Sequence, residues 1–395
     1  MVSRPFSCTG IQSYKRKNTF PAHPAQKFTT HHPARYPTIA NLRTSKLSLP
    51  PTTPNQTTTS IAIHNLPTTT MASQNLCITV FARGTPTLDR MTPSMIAAEI
   101  HALLGNDDPY QLSTFTLRPL SPTVTEILIP HPSAHTLDLT ALRTSPVITA
   151  KEAELGVELC FQHDTPYRRH KRLVVFDMDS TLINQEVIDE LAAFIGVQKE
   201  VAEITERAMN GELDFEASLR ARVGLLKGLS NDVWEQLKKE KITFAAGARE
   251  VTKVLRKLGC KLAVLSGGFL PLANWVKGEL GLDYAFANQL VADPETGLLT
   301  GTLEGFIVHA QKKAELLEEI AKEHDIDLKM SVAVGDGAND LVMMAKAGLG
   351  VAVNAKVKVQ REAPVRVNPL GGKGLQEILY LMGLSDVDIE ELLRD

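Results

Sequence analysis

Acidic side chains are missing from the start of this chain: no Asp or Glu precedes Asp89. Cysteine is scarce as well. The four present (Cys8, Cys77, Cys160 and Cys260) form no Cys-x-x-Cys pair. That pattern argues against a disulfide framework and for a reducing compartment. No apolar run approaches the roughly eighteen residues of a bilayer-spanning helix, so no membrane span is predicted. A net charge of −3 lacks the basic excess that favours nucleic acid or an anionic membrane surface. What is present is 395 residues, 43% hydrophobic and 22% charged, enough for two cores and a tail.

Residues 1–73 read as the tail. Lys, Arg, Ser, Thr and Pro dominate, Pro50-Pro51 and Thr57-Thr58-Thr59 mark low complexity, and hydrophobic periodicity is absent, so disorder is expected. The acid-free start resembles an organelle transit peptide, although Pro21, Pro24, Pro33 and Pro37 interrupt any long amphipathic helix. Met71-Ala-Ser offers an alternative start. The expected location is the cytoplasm, or a mitochondrion or plastid if the tail is a targeting segment. His23, His31 and His32 have no ligand-like spacing.

Residues 74–165 read as a small α/β domain. Strands are expected at 76–82, 111–117, 124–129 and 157–161. A helix at 91–104 carries Met95, Ile96, Ile100 and Leu103, and a weaker helical pattern at 137–155 is interrupted by Pro146. The order β-α-β-β-α-β is ferredoxin-like. By that order alone the segment resembles amino-acid-binding regulatory (ACT-type) domains. It carries no catalytic cluster; a sensor, a structural module and a homodimerising module all fit. The basic linker at 167–172 lacks the aromatic or glycine repeats of a nucleic-acid patch and reads as solvated.

The chemistry gathers after residue 171. Val174, Val175 and Phe176 read as a buried strand that stops at Asp177, with Asp179, Ser180 and Thr181 following. Open α/β sheets bind ligands at such strand ends. No basic residue occurs from Phe176 to Glu190, so the two carboxylates need an outside cation. A hard divalent metal such as Mg²⁺ is the natural candidate. Alone, Asp-x-Asp after an apolar run is a common turn; three later segments complete the set.

Between them, residues 184–256 read as an inserted helical cap of four helices. Ile188 to Ile195 and Val201 to Met209 mark the first two. Asp214 caps a third from Phe215, and Ser230 a fourth through Trp234 and Leu237. Phe215 and Arg222 share a face of the third. Such an Arg is ordinarily a snorkelling surface residue, and Glu186 an ordinary first-turn acid.

The core resumes with a strand at 261–265 that ends in Ser266-Gly267-Gly268, where backbone N–H groups can approach a phosphate. A hairpin is expected about 293–297. Lys312 and Lys313 open a helix and would ordinarily face solvent. Then Ser331-Val-Ala-Val-Gly-Asp-Gly-Ala-Asn-Asp340 places Asp336 at another strand end, with Asn339 and Asp340 opening a helix. Met343 and Met344 read as core. A strand at 349–353 and helices at 375–382 and 386–393 close the chain.

In order, Asp177-Met-Asp-Ser-Thr181, Ser266, a helix Lys and Gly335-Asp-Gly-Ala-Asn-Asp340 resemble the four motifs of the haloacid dehalogenase superfamily of phosphohydrolases, over about 172–384. The strings that continue from Phe176 to Glu190, with 204–211 and 218–226, resemble the members acting on O-phosphoserine. The resemblance implies a Rossmann-like parallel sheet with the helical cap inserted and the ferredoxin-like domain in front. It implies hydrolysis of O-phosphoserine, the last step of serine biosynthesis by the phosphorylated route. Asp177 is then the nucleophile and Asp179 the general acid and base. Mg²⁺ is held by Asp177, the Asp179 carbonyl and Asp336, with Asp340 supporting. Ser266, Gly267, Lys313 and Asn339 hold the phosphoryl group; register favours Lys313 over Lys312. Glu186 meets the substrate ammonium and Arg222 its carboxylate, while Met209 and Phe215 shield the site. Hydrolysis by metal-bound water, without a covalent intermediate, stays open as the alternative.

Overall fold

The computed structural model describes residues 75–84, 91–104, 115–131, 134–209, 211–369 and 373–394. The tail expected at 1–73 lies outside them. Among the described residues, strands form two sheets.

The first sheet comprises β1 (Asn75–Ala82), β2 (Thr116–Ser121), β3 (Val124–Pro130) and β4 (Val157–His163), all antiparallel, in the order β2-β3-β1-β4. Alternation along β1 sends Leu76, Ile78 and Val80 into a cluster with Ile96, Ile100, Ile127 and Ile148. Phe81, with Leu120, Val124 and Cys160, joins the core of the second sheet. Both faces of this small sheet are therefore covered.

Two local expectations shift. The strand expected at 111–117 falls at Thr116–Ser121, because Pro122-Thr123 makes a two-residue turn that pairs Ser121 with Val124; residues 111–114 lie outside the described residues. The pattern at 137–155 is two helices, Leu139–Thr144 and Pro146–Leu155. Pro146 lacks an N–H and so begins the second helix rather than continuing the first.

The second sheet comprises β5 (Leu173–Phe176), β6 (Lys261–Phe269), β7 (Tyr284–Ala292), β8 (Leu299–Glu304), β9 (Ser331–Gly335), β10 (Gly350–Val353) and β11 (Val365–Val367). Its order is β11-β10-β9-β5-β6-β7-β8, parallel except for β8. Val174, Phe176, Leu262 and Val264 point into one apolar layer with the helices Ala248–Lys257 and Leu270–Leu280. Leu173, Val175, Ala263 and Leu265 point into the other, with the helix Ala310–Glu323 and with Met343 and Met344. β5 is thus buried on both faces, as its unbroken apolar run requires. Between β9 and β6 it also occupies the point where the sheet order reverses, beside which such sheets place ligands.

Four helices follow β5: Val187–Ile195, Gln198–Met209, Phe215–Leu225 and Val233–Glu240. Gly196, at φ 72°, ends the first. Asp214 caps the third by accepting a 2.7 Å bond from Ala217 N–H. The fourth begins later than Ser230, whose Oγ accepts from Asp232 N–H in the preceding turn. The next helix, Ala248–Lys257, packs on the sheet core instead. No helix among the described residues is long and apolar enough to cross a membrane.

Candidate active site

The loops after β5, β6 and β9 meet at one edge of the larger sheet. Asp177 leaves β5 with its N–H bonded to Val334 O of β9 at 2.8 Å. Its Oδ1 accepts from Met178 N–H and from Lys313 Nζ, each at 2.7 Å. Ser180 takes a left-handed φ of 55° and tightens the turn. That turn brings Thr181 Oγ1 to 3.0 Å from Asp336 Oδ1 and Ser180 Oγ to 2.9 Å from Glu186 Oε1.

From β9, Gly335-Asp336-Gly337 opens onto Asn339 and Asp340. A Cβ on Gly335 would stand 2.3 Å from Asp340 Oδ2, so only glycine lets that carboxylate fold back. Asp340 Oδ2 accepts from Gly337 N–H at 3.0 Å, and its Oδ1 lies 2.7 Å from Lys313 Nζ. The helix Ala310–Glu323 thus sends Lys313, fully buried, between two carboxylates. Lys312 turns away to Glu315 and Glu319.

β6 runs on past the end expected at Leu265, through Ser266 and the two glycines to Phe269, and is out of register with β7 beyond Leu265. Ser266 is fully buried, and its Oγ accepts from Gly268 N–H at 2.8 Å. A Cβ on Gly268 would lie 3.2 Å from Asp179 Oδ2; one on Gly267 would lie 3.3 Å from Phe215 Cζ and 3.7 Å from Asn339 Nδ2. The third inserted helix therefore lays Phe215 over the Gly267 backbone, beside Asn339.

Charge in this space is unbalanced. Ligand oxygens of Asp177, Asp336 and Asp340 lie within 4.8 Å of one another, and Lys313 is the cation bonded among them. Burial, with Asp177 beside it, pushes Asp336 up to about 6 against the bond from Thr181. Burial and Asp177 raise Asp340 too, despite Lys313. Burial opposes the Lys313 charge, yet Asp177 and Asp340 raise its pKa above the ordinary lysine range. Asp179 is raised well above the carboxylate range by burial, then by Glu186 and Asp177. Its Oδ2 accepts from Val187 N–H at 3.2 Å, whereas Oδ1 is buried with no partner among the described residues. An excess of buried carboxylate oxygens around one ammonium is a donor set that fits a hard divalent cation.

Arg222 is half-buried. Burial lowers its pKa, opposed by Asp189 and Glu186, whose charges reach it. Glu186 lies at the start of the helix Val187–Ile195. Met209 ends its helix, and its side chain lies outside the described residues.

Some contributors carried little signal. Asn288, fully buried in β7, donates to Gly267 O at 2.7 Å and accepts from Val308 N–H at 2.8 Å. It ties the β6 end to the segment leading into the Lys313 helix; an Asn-Gln pair inside an otherwise apolar strand was its only mark. Ser180 and Thr181 stood within the motif, but their bonds to Glu186 and Asp336 depend on a turn that spacing does not specify.

A parallel sheet with acids at two strand ends, a buried Lys and a glycine-rich third strand end define a haloacid dehalogenase-like hydrolase, the family whose profile matches residues 171–348. The chain is 51% identical over 232 residues to a probable phosphoserine phosphatase of Schizosaccharomyces pombe, covering 59% of this chain and 76% of that one. It is 49% identical over 233 residues to the phosphoserine phosphatase of Saccharomyces cerevisiae, covering 59% and 74%. The crystal structure of a probable phosphoserine phosphatase from Vibrio cholerae, unliganded, superposes with a TM-score of 0.58 at 30% identity, covering 80% of this chain and 89% of that one. The chain belongs to the phosphoserine phosphatase family.

Proposed function

We propose that this protein hydrolyses O-phosphoserine to serine and phosphate, with Mg²⁺ as its metal, and that Asp177 carries the phosphoryl group covalently. The observation that carries the reading is the inequality of two neighbouring carboxyls. Asp177 is bonded to the Lys313 ammonium. Asp179, raised by burial and by its acidic neighbours, keeps a buried Oδ1 without a partner among the described residues.

Asp177 attacks phosphorus in line and the leaving serine oxygen departs. Asp179, protonated, donates its proton to that oxygen, then takes one from the water that cleaves the aspartyl-phosphate. Lys313, Ser266, the Gly267 N–H and Asn339 hold the phosphoryl oxygens and stabilise their charge. Asp177, the Asp179 carbonyl and Asp336 would hold Mg²⁺, with Asp340 fixed behind them by Lys313 and Gly337. A metal held there would supply neutralisation of the phosphoryl charge.

Glu186, steadied by Ser180, pairs with the substrate ammonium, and Arg222 offers its planar fork to the carboxylate. The four helices from Val187 to Glu240 act as the cap, with Phe215 and Met209 excluding water. The small sheet is an ACT-like domain. The deciding experiment measures phosphate release from O-phosphoserine, phosphothreonine and a sugar phosphate, with and without Mg²⁺. Metal-dependent release with phosphoserine fastest supports the reading; equal rates on all three would remove the roles of Glu186 and Arg222.

A further inference from the structure

A cleft of about 800 Å³ lies where the small sheet meets the β10–β11 edge of the larger one, lined by Arg83, Arg143, Glu152, Glu158, Arg361 and Arg366 among others. The pairing of these charges is uneven. Arg366 lies 2.5 Å from Glu152, and Arg83 lies 3.2 Å from Glu158 and 2.8 Å from Glu377. No carboxylate among the described residues is bonded to Arg143 or Arg361. Arg143 is only 1% exposed, and its Nη atoms donate at 2.7–2.8 Å to the carbonyls of Gln360, Arg361 and Ala363. Those carbonyls close the helix Val357–Glu362. A helix end offsets about half a charge at most, so positive charge is left over. Burial, and then Arg366, lowers the Arg143 pKa, as expected of a cation short of anions. The same helix begins after Lys356, whose charge reaches Glu186 and favours its ionised form. β10, which leads into Lys356, pairs Ala352 with Gly335 of β9, so Arg143 grips one end of a short helix whose other end leaves the sheet edge that carries Asp336.

We propose that this cleft binds a small dianion bearing carboxylate or phosphate groups, and that its occupancy alters substrate binding through the helix Val357–Glu362. A guanidinium fork accepts either chemistry, and the volume is that of a small-metabolite site. An anion held by the exposed Arg361, with the buried Arg143 charge behind it, would pull on the helix and shift Lys356 relative to Glu186. The binding half stands on the cleft alone; the coupling half rests on the activity proposed above.

The test is calorimetric titration of the full chain, metal-free and at fixed ionic strength, with succinate and separately with methylphosphonate. Wild type is compared with Arg361→Glu, which reverses an exposed charge on the rim, and with Thr149→Glu, an exposed position that also lines the cleft. Thermal melts check that both variants fold. The expected result is binding of at least one anion, weakened about ten-fold or more in both variants. The anion that binds separates carboxylate from phosphate. Saturating anion should then change the KM for O-phosphoserine roughly two-fold or more in wild type, but not in Arg361→Glu. No binding by either anion, or equal affinity in all three proteins, overturns the site. Cleft binding with an unchanged KM overturns the coupling, and no turnover of phosphoserine at all would instead overturn the activity.

Discussion

Lys313 Nζ lies 2.7 Å from Asp177 Oδ1, and the lysine side chain is wholly buried. A second 2.7 Å bond, to Asp340, makes this one ammonium the counter-charge of two carboxylates. Lys313→Met should therefore do two things. It should lower kcat by about 10²-fold or more, through loss of phosphoryl charge stabilisation. It should also destabilise the metal-free protein by ~3–5 kcal/mol, because partners of a buried ion pair are left uncompensated. Urea denaturation and single-turnover kinetics read the two effects. A folded Lys313→Met protein with wild-type kcat would remove Lys313 from the chemistry.

Asp179 makes a pH prediction. Its native pKa is raised, so the native state keeps a proton that the unfolded chain releases. Wild-type stability should then fall as pH rises from the ordinary carboxylate value through the native pKa. Asp179→Asn carries no such proton, so its metal-free stability should be flatter across that window. Its kcat should drop about 10²- to 10⁴-fold for want of a general acid. Urea melts at about pH 5 and about pH 8 check the first point. Parallel curves for the two proteins would mean that Asp179 is ionised like any surface carboxylate.

How far the sequence discloses this arrangement depends on whether a feature is local. β5 and β9 are legible because a strand buried on both faces must be continuously apolar, and each ends abruptly at an acid. The carboxylates follow from those ends; Ser266 stands at the end of β6, and Lys313, which would ordinarily face solvent, is reached only through the family resemblance. β11 (Val365–Val367) escapes because it is three residues long, with Arg366 in the middle and Pro364 and Pro369 beside it. The start of β2 is set by the turn at Pro122-Thr123, which outweighs the apolar pattern upstream. Asn288 is invisible for another reason: its partners, Gly267 O and Val308 N–H, are twenty or so residues away in sequence. A buried amide is explained only by what it bonds to.

Metal binding should itself depend on pH, through Asp336. With the site empty of metal, burial beside Asp177 pushes its carboxyl up to about 6. Below that pH a proton competes with the cation; above it the ionised cluster repels itself until a cation arrives. Mg²⁺ should therefore raise the Tm more at about pH 8 than at about pH 5, and Asp336→Asn should shrink the difference. Differential scanning calorimetry with and without metal decides the matter. Equal Mg²⁺-induced shifts at both pH values would place the metal elsewhere.

On the proposed reading, substrate choice rests on two side chains of opposite sign at the ends of different inserted helices. Glu186 is held by Ser180 at 2.9 Å, and Arg222 is half-buried within reach of the Glu186 and Asp189 charges. In a partly desolvated pocket each should favour a zwitterionic substrate by about 1.5–3 kcal/mol, the range for a hydrogen bond to a charged group. Arg222→Lys keeps the charge but loses the planar two-pronged donor. It should lower kcat/KM for O-phosphoserine by roughly 10- to 100-fold, while leaving O-phosphoethanolamine, which has no carboxylate, nearly unaffected. Glu186→Gln should weaken both, because both carry the ammonium. If Arg222→Lys reduces turnover of the two substrates equally, the guanidinium is holding the cap in shape rather than holding a carboxylate. Ser180→Ala separates these readings further: it should reproduce a fraction of the Glu186→Gln loss without altering the response to Arg222→Lys.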